Sequence, residues 1–231
     1  YISYNDLGLI YLTTLDYQNI EEAENCIKKS AFEGSNVKGV FNFSASLEIY
    51  ECAFKNSIIE KMEFTQKCSL EILEKSAFEG SVILSDLIFP ALTKNTLNYT
   101  VFKNSKLKNL IFDSRTNLYE IDEYAFEGSI IESICFPECL GKIGKKSFKN
   151  SKIGSISFGR NSNLNFIDDF AFENCELLSN FHFPASIEVI NKGVFINARL
   201  NSLIFDKKSQ IKYIGKSAFK GAVIDNDFDM P

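Results

Sequence analysis

The sequence predicts a repeat solenoid of about nine stacked units, each roughly 23 residues long, with a parallel sheet running along one side. Three observations predict it. Phe occurs 22 times while Trp is absent and His occurs once. The dipeptide Ala-Phe or a near variant returns at Phe32, Phe54, Phe78, Phe102, Phe126, Phe148, Phe172, Phe195 and Phe219, in steps of 22 to 24 residues. Each return is followed by a turn residue and then by a short apolar segment ending in a second Phe.

The elements of one unit follow in order. Two residues after each anchor Phe stands Gly or Asn: Gly34, Asn56, Gly80, Asn104, Gly128, Asn150, Asn174, Asn197 and Gly221. These residues tolerate positive φ and turn the chain. A small residue comes next, always Ser, Cys or Ala. The apolar segments end at Phe43, Phe64, Phe89, Phe112, Phe136, Phe158, Phe183 and Phe205, as in Leu107–Phe112, and read as strands. Five residues before each anchor sits an aliphatic: Ile27, Ile49, Leu73, Leu97, Ile121, Ile143, Ile167, Ile190 and Ile214. Anchors and strand ends use 17 of the 22 phenylalanines, so two Phe ladders along the stack explain the composition. One unit cannot bury its own apolar face, whereas stacking gives each ring a neighbour above and below.

The net charge of -5 and pI near 5.1 argue against a nucleic-acid partner, which needs a basic face to displace phosphate counterions. No run of 18 apolar residues is present, and the first residues lack the basic and apolar regions of a signal peptide.

The order strand, Phe-Pro, turn, Leu-x-x-Ile-Gly, Ala-Phe-x-Asn/Gly resembles the Treponema-type, BspA-like leucine-rich repeat. Residues Ile134 to Asn150 carry it most fully, and the match extends from about Ile27 to about Ile224. Pro follows the strand Phe only at Pro90, Pro137 and Pro184, and residues 1–25 fit poorly. The resemblance implies a leucine-rich-repeat solenoid of the α/β horseshoe class, rich in β structure, with turns or short helices opposite the sheet. Residues 1–26 are then expected to be a divergent repeat or cap, 27–224 the array, and 225–231 a truncated C-terminal end. Proteins similar to this family are mostly cell-surface or secreted molecules implicated in adhesion to host proteins and other cells. The resemblance therefore implies a protein partner, such as a host or extracellular matrix protein, or a glycan.

A second-order pattern doubles the period to about 47 residues, matching the spacing of Pro90, Pro137 and Pro184. Every second loop is longer and carries Lys67, Arg115, Arg160, or Lys207 with Lys208. Two readings fit: a ligand-facing basic rail with a ~10 Å repeat, or, preferred, solvated loop residues on an acidic protein.

No catalytic, cofactor or metal motif appears. His182 has no nucleophile partnered with it in a recognisable motif, and the carboxylates before the anchors (Glu51, Glu74, Asp122, Glu123, Asp168, Asp169) alternate with Lys145, Lys146, Lys192 and Lys216 as a solvated ridge would. The six cysteines sit at six different offsets from their anchors, which predicts thiols rather than cross-unit disulfides. Reduced thiols favour an intracellular scaffold or regulatory subunit as the alternative to adhesion. The sequons at Asn42 and Asn98 are expected by chance in so Asn-rich a chain.

If the strand-end Phe point inward, the residues before them face out: Asn42, Glu63, Ile88, Ile111, Cys135, Ser157, His182 and Ile204. Two residues earlier the same face carries Val40, Lys61, Asp86, Asn109, Ser133, Ser155, Asn180 and Ser202. Most are small or polar, but Ile88, Ile111 and Cys135 break the rule in consecutive units. An apolar strip rimmed by Asp86 and Asn109, with Ser157 and His182 further along, is therefore the candidate partner-binding face. No polar capping unit follows the ninth anchor, so the chain is expected to be part of a longer one or to associate end to end.

Overall fold

The computed structural model describes residues 2–4, 9–12, 26–43 and 45–229. Among these the chain winds as a β-solenoid, and every unit repeats a short strand, a six-residue turn, a long strand and a loop. No helix occurs among the described residues, which corrects the expectation of short helices opposite the sheet. The reason lies in the turn. Two of its residues adopt positive φ, one two positions before the anchor (Ser30, Cys52, Ser76, Thr100, Tyr124, Lys146, Phe170, Gly193, Ser217) and one two positions after it. Its N–H groups alternate between carbonyls of the neighbouring unit and carbonyls three residues back, as the Glu127 N–H does to Tyr124 at 3.1 Å. The Phe126 N–H donates to the Ser147 carbonyl at 2.7 Å, the Gly128 N–H to Lys149 at 2.8 Å, and equivalents link each successive pair of units. A helix needs unbroken right-handed φ and i→i−4 bonds, and neither is available here.

The long strands form a 13-stranded sheet that is parallel throughout except where Ile2–Tyr4 runs antiparallel to Leu9–Leu12. The predicted aliphatics lie in a second ladder of short strands, such as Glu120–Ile121, Lys142–Ile143 and Phe166–Ile167. That ladder breaks once. Ala91–Leu92 pairs back with Ser69–Leu73, while Thr96–Leu97 of the same unit pairs forward with Glu120–Ile121.

Between the ladders lies one continuous core. The anchor rings stack face to face from Phe32 to Phe219, with centroids 4.9–5.6 Å apart and planes within 16°. This is close to the spacing of adjacent strands, so the backbone ladder sets the ring ladder. The buried Ser that follows the turn donates its hydroxyl to the anchor's own carbonyl, as Ser57 does to Phe54 at 2.7 Å and Ser105 to Phe102 at 2.7 Å. Each buried Phe or aliphatic contributes about 1.5–3 kcal/mol, and the ladder repeats that contribution in every unit.

The doublet period also has a cause in the turn. Units alternate between Glu-Gly-Ser and Lys-Asn-Ser after the anchor from Phe32 to Phe148. Lys55 pairs with Glu79 (3.4 Å), Lys103 with Glu127 (2.8 Å) and Lys149 with Glu173 (3.0 Å). The Asn56 and Asn104 amides lie against the next unit's Gly: a Cβ on Gly80 would stand 2.2 Å from Asn56 Oδ1, and one on Gly128 2.2 Å from Asn104 Oδ1. Alternation thus fits a large side chain beneath a missing one.

Candidate partner-binding face

The strand Lys106–Phe112 shows how the outer face is built. Leu107, Leu110 and Phe112 are buried, whereas Lys106, Lys108, Asn109 and Ile111 are not. Alternation fails once, because Lys108 and Asn109 both stand outside the core. The strand bends there, and its inward aliphatics fall three apart instead of two. In three units the gap is four: Val37 to Phe41, Ile83 to Leu87 and Leu177 to Phe181. The extra residue is a bulge.

The bulge decides where the sheet opens. Ile58–Phe64 pairs with the next unit only at Val82 and Ile83, and Lys152–Phe158 pairs only at Glu176 and Leu177. Beyond those points no backbone pairing joins Lys61–Phe64 to Leu87–Phe89, or Ser155–Phe158 to Asn180–Phe183, among the described residues. Prolines contribute. Thr65 donates its N–H to the Phe43 carbonyl and Asp113 to Phe89, but Pro90 and Pro184 have no N–H to offer Phe64 and Phe158. Proline alone is not enough: Pro137 follows a strand with the three-residue gap, and that strand stays paired as far as Ile111↔Cys135. Phe64 and Phe158, the rings preceding the two openings, are only half-buried. They meet the next unit edge-on, Phe64 to Phe89 at 6.3 Å and Phe158 to Phe181 at 5.7 Å, whereas Phe43 stacks on Phe64 at 5.2 Å.

Each opening carries a concavity. The first is a groove of about 390 Å³ whose lining includes Asn42, Lys61, Glu63, Phe64, Asp86 and Ile88. The second is a trough of about 810 Å³ over the ends of three successive strands, lined among others by Ser157, Arg160, His182, Ile204 and Lys207.

The residues predicted for the face fall on both sites and between them. Ile88 is 58% exposed and Ile111 42%. Ile88, Ile111 and Cys135 are direct neighbours in register, and Cys135 pairs onward with Ser157. Asp86 and Asn109 form the rim: Asn109 Nδ2 donates to Asp86 Oδ1 at 2.8 Å, and Ser133 Oγ donates to Asn109 Oδ1. His182 is exposed, next to Ile204 in register. Ser202, expected on this face, is instead buried, because the strand Phe228–Asp229 pairs alongside its own and its Oγ accepts the Asp227 N–H at 3.3 Å.

The sequence reading missed further apolar exposure at the start of the face, at Ile58, Leu84, Ile130 and Leu178. Leu84 and Leu178 occupy the bulges, so the four-residue gaps at Ile83 and Leu177 were the signal.

Charges on the loops are unequal. Arg115 grips Asp113 through Nε (2.9 Å) and Nη2 (2.7 Å) and reaches the Cys68 carbonyl, two units back, at 3.5 Å. This grip holds the Asp113 carboxyl below the usual range. The ridge before the anchors carries ion pairs as expected: Glu51 accepts from Lys29 at 2.8 Å and Lys75 at 3.1 Å, which lowers its pKa. All six cysteines are thiols. Burial pushes Cys68 up to about 11 and raises Cys175 further, whereas Cys135 is exposed on the strip. No group of three His, Cys, Asp or Glu positioned to hold a metal occurs among the described residues, and no described helix is long and apolar enough to cross a membrane.

A family model described as "BspA type Leucine rich repeat region" matches in six copies over residues 10–118 and 95–224. No curated protein and no solved structure matches the chain.

Proposed function

Since the chain belongs to the BspA-type leucine-rich-repeat family, a repeat family that generally binds proteins, we propose that it is a protein-binding module of the cell-surface or secreted adhesion type. Its contact surface is the outer face of the long-strand sheet, centred on Ile88, Ile111 and Cys135 and continued by Asp86, Asn109, Ser157 and His182. The observation that carries this reading is the in-register apolar strip beside the groove at Ile88, rimmed by Asp86 and Asn109. Exposed apolar clusters rimmed by polar groups are typical centres of protein interfaces. In this reading residues 27–224 are the binding array and residues 1–26 a divergent repeat or cap.

Replacing Ile88 and Ile111 together by Ser leaves folding nearly intact and weakens partner binding more than ~tenfold, or about 1.4 kcal/mol. A partner recovered by cross-linking at Cys135 on intact cells supplies the probe. Loss of folding would mark both residues as core, and unchanged affinity would move the contact elsewhere. A second reading, an intracellular scaffold, is favoured by the six thiols. Surface labelling of intact cells separates the two.

A further inference from the structure

The trough over the second opening differs from the strip in its chemistry. Its lining combines Arg160, Lys207 and His182 with hydrogen-bonding groups such as Asn161 and Gln210, over a floor that includes Phe158, Pro184 and Ile204. Arg160 and Lys207 each stand two residues after the strand-end Phe in successive long loops, where the preceding doublet has Ser114 and carries its cation, Arg115, one residue later. Arg115 is neutralised by Asp113, which directly follows the strand-end Phe. The residue after Phe158 is Gly159, which carries no carboxylate, and a Cβ there would stand 2.3 Å from Glu138 Cγ. Glu138 itself is engaged by Asn161, through the backbone N–H at 3.3 Å and Nδ2 at 3.4 Å. Asp206, the carboxylate in the lining itself, accepts the Lys208 N–H at 2.8 Å. Among the described residues neither Arg160 nor Lys207 has an ion-pair partner, so two cations lie open in one trough of an acidic protein.

Arg160 and Lys207 are two units apart, or ~10 Å along the stack. Two linked pyranose rings span a similar length. The trough runs over three successive strand ends and is lined by polar and apolar groups together, which suits a linear chain of sugar rings better than a compact apolar ligand. We infer that this trough binds an acidic polysaccharide bearing one carboxylate or sulfate on alternate sugars, with Arg160 and Lys207 each taking one anionic group. The trough shares Ser157 and His182 with the far end of the protein-binding face but not its centre at Ile88, Ile111 and Cys135.

The test measures binding of a labelled hyaluronan oligosaccharide, with its single carboxylate per disaccharide, to the whole chain by fluorescence anisotropy. The native protein binds it, and affinity falls as salt shortens the screening length below ~10 Å. Arg160→Gln/Lys207→Gln weakens binding at least ~tenfold. Both side chains lie on the loops, so circular dichroism should be unchanged. Ile88→Ser/Ile111→Ser binds the saccharide like the native chain even where protein binding is lost, which separates failure of this site from failure of the strip. Equal binding of a neutral maltooligosaccharide, an unaffected double variant, or binding of an aspartate-rich peptide but not of hyaluronan would each overturn the assignment.

Discussion

The turn side and the strand-end side of each unit are built from the same residue, Phe, yet they behave differently. On the turn side the anchor rings stack face to face along the array, and the turn backbone bonds from unit to unit beside them. On the strand-end side the rings change from stacked to edge-on and the ladder opens twice. The difference teaches that regularity in this solenoid serves cohesion, whereas its interruptions create shape. A fully paired sheet would offer a nearly flat face; a one-residue bulge, helped by a proline, produces each concavity.

The largest expected effect tests this difference in cohesion. Phe126→Ala, in the middle of the anchor ladder and fully buried, costs about 3–5 kcal/mol in urea unfolding. Phe158→Ala, at the second opening and half-buried, costs less than half as much. Equal costs would erase the contrast.

Next comes the alternation of Gly and Asn in the turn. Gly128 has φ +68°, and an added Cβ meets Asn104 Oδ1 at 2.2 Å. Gly128→Ala therefore costs about 1–3 kcal/mol from backbone strain and crowding together. In an Asn104→Gly background the crowding disappears and only the strain remains. A double-mutant cycle with a coupling of at least ~0.5 kcal/mol is expected, and an additive result would show that the doublet has no steric basis.

Smaller effects follow at the surface. Removing the Lys103–Glu127 pair by Lys103→Ala costs no more than about 1 kcal/mol, because the lysine is one-third exposed. Thiol reagents sharpen the same contrast without mutation. Cys135 on the sheet face reacts first in the native protein, Cys68 and Cys175 react only after unfolding, and denatured chains titrate to six thiols. Fast labelling of Cys175 in native protein would mean that the turn following Phe172 opens readily.

Much of the turn side was legible because its rules are local. Gly or Asn two residues after each anchor predicts positive φ, and all nine positions have it. The second positive-φ position was not legible, since Tyr124, Lys146 and Phe170 carry no signal of it; cross-unit backbone bonds hold them there, as the Tyr124 N–H does by donating to the Lys145 carbonyl. The Glu-Gly and Lys-Asn alternation stood in plain sight, but its meaning needs the neighbouring unit.

On the candidate face, strict alternation correctly placed Ile88, Ile111, Cys135 and His182 outside and failed at Ser202, where the strand paired alongside lies outside its own unit. The openings were encoded in the gaps Ile83 to Leu87 and Leu177 to Phe181. A two-residue period cannot represent a bent strand, so those gaps passed as noise.

Hydrogen exchange read amide by amide tests the central claim most directly, because it reports local opening along the whole array. The account predicts that the turn amides of Phe126, Gly128 and Phe148 exchange slowest, and that those amides of Asn180–Phe183 that face the unpaired Ser155–Phe158 exchange at least ~tenfold faster than those in the fully paired strand Ile130–Phe136. Uniform protection across both strands would contradict it, since the sheet would then be closed where the trough is said to form.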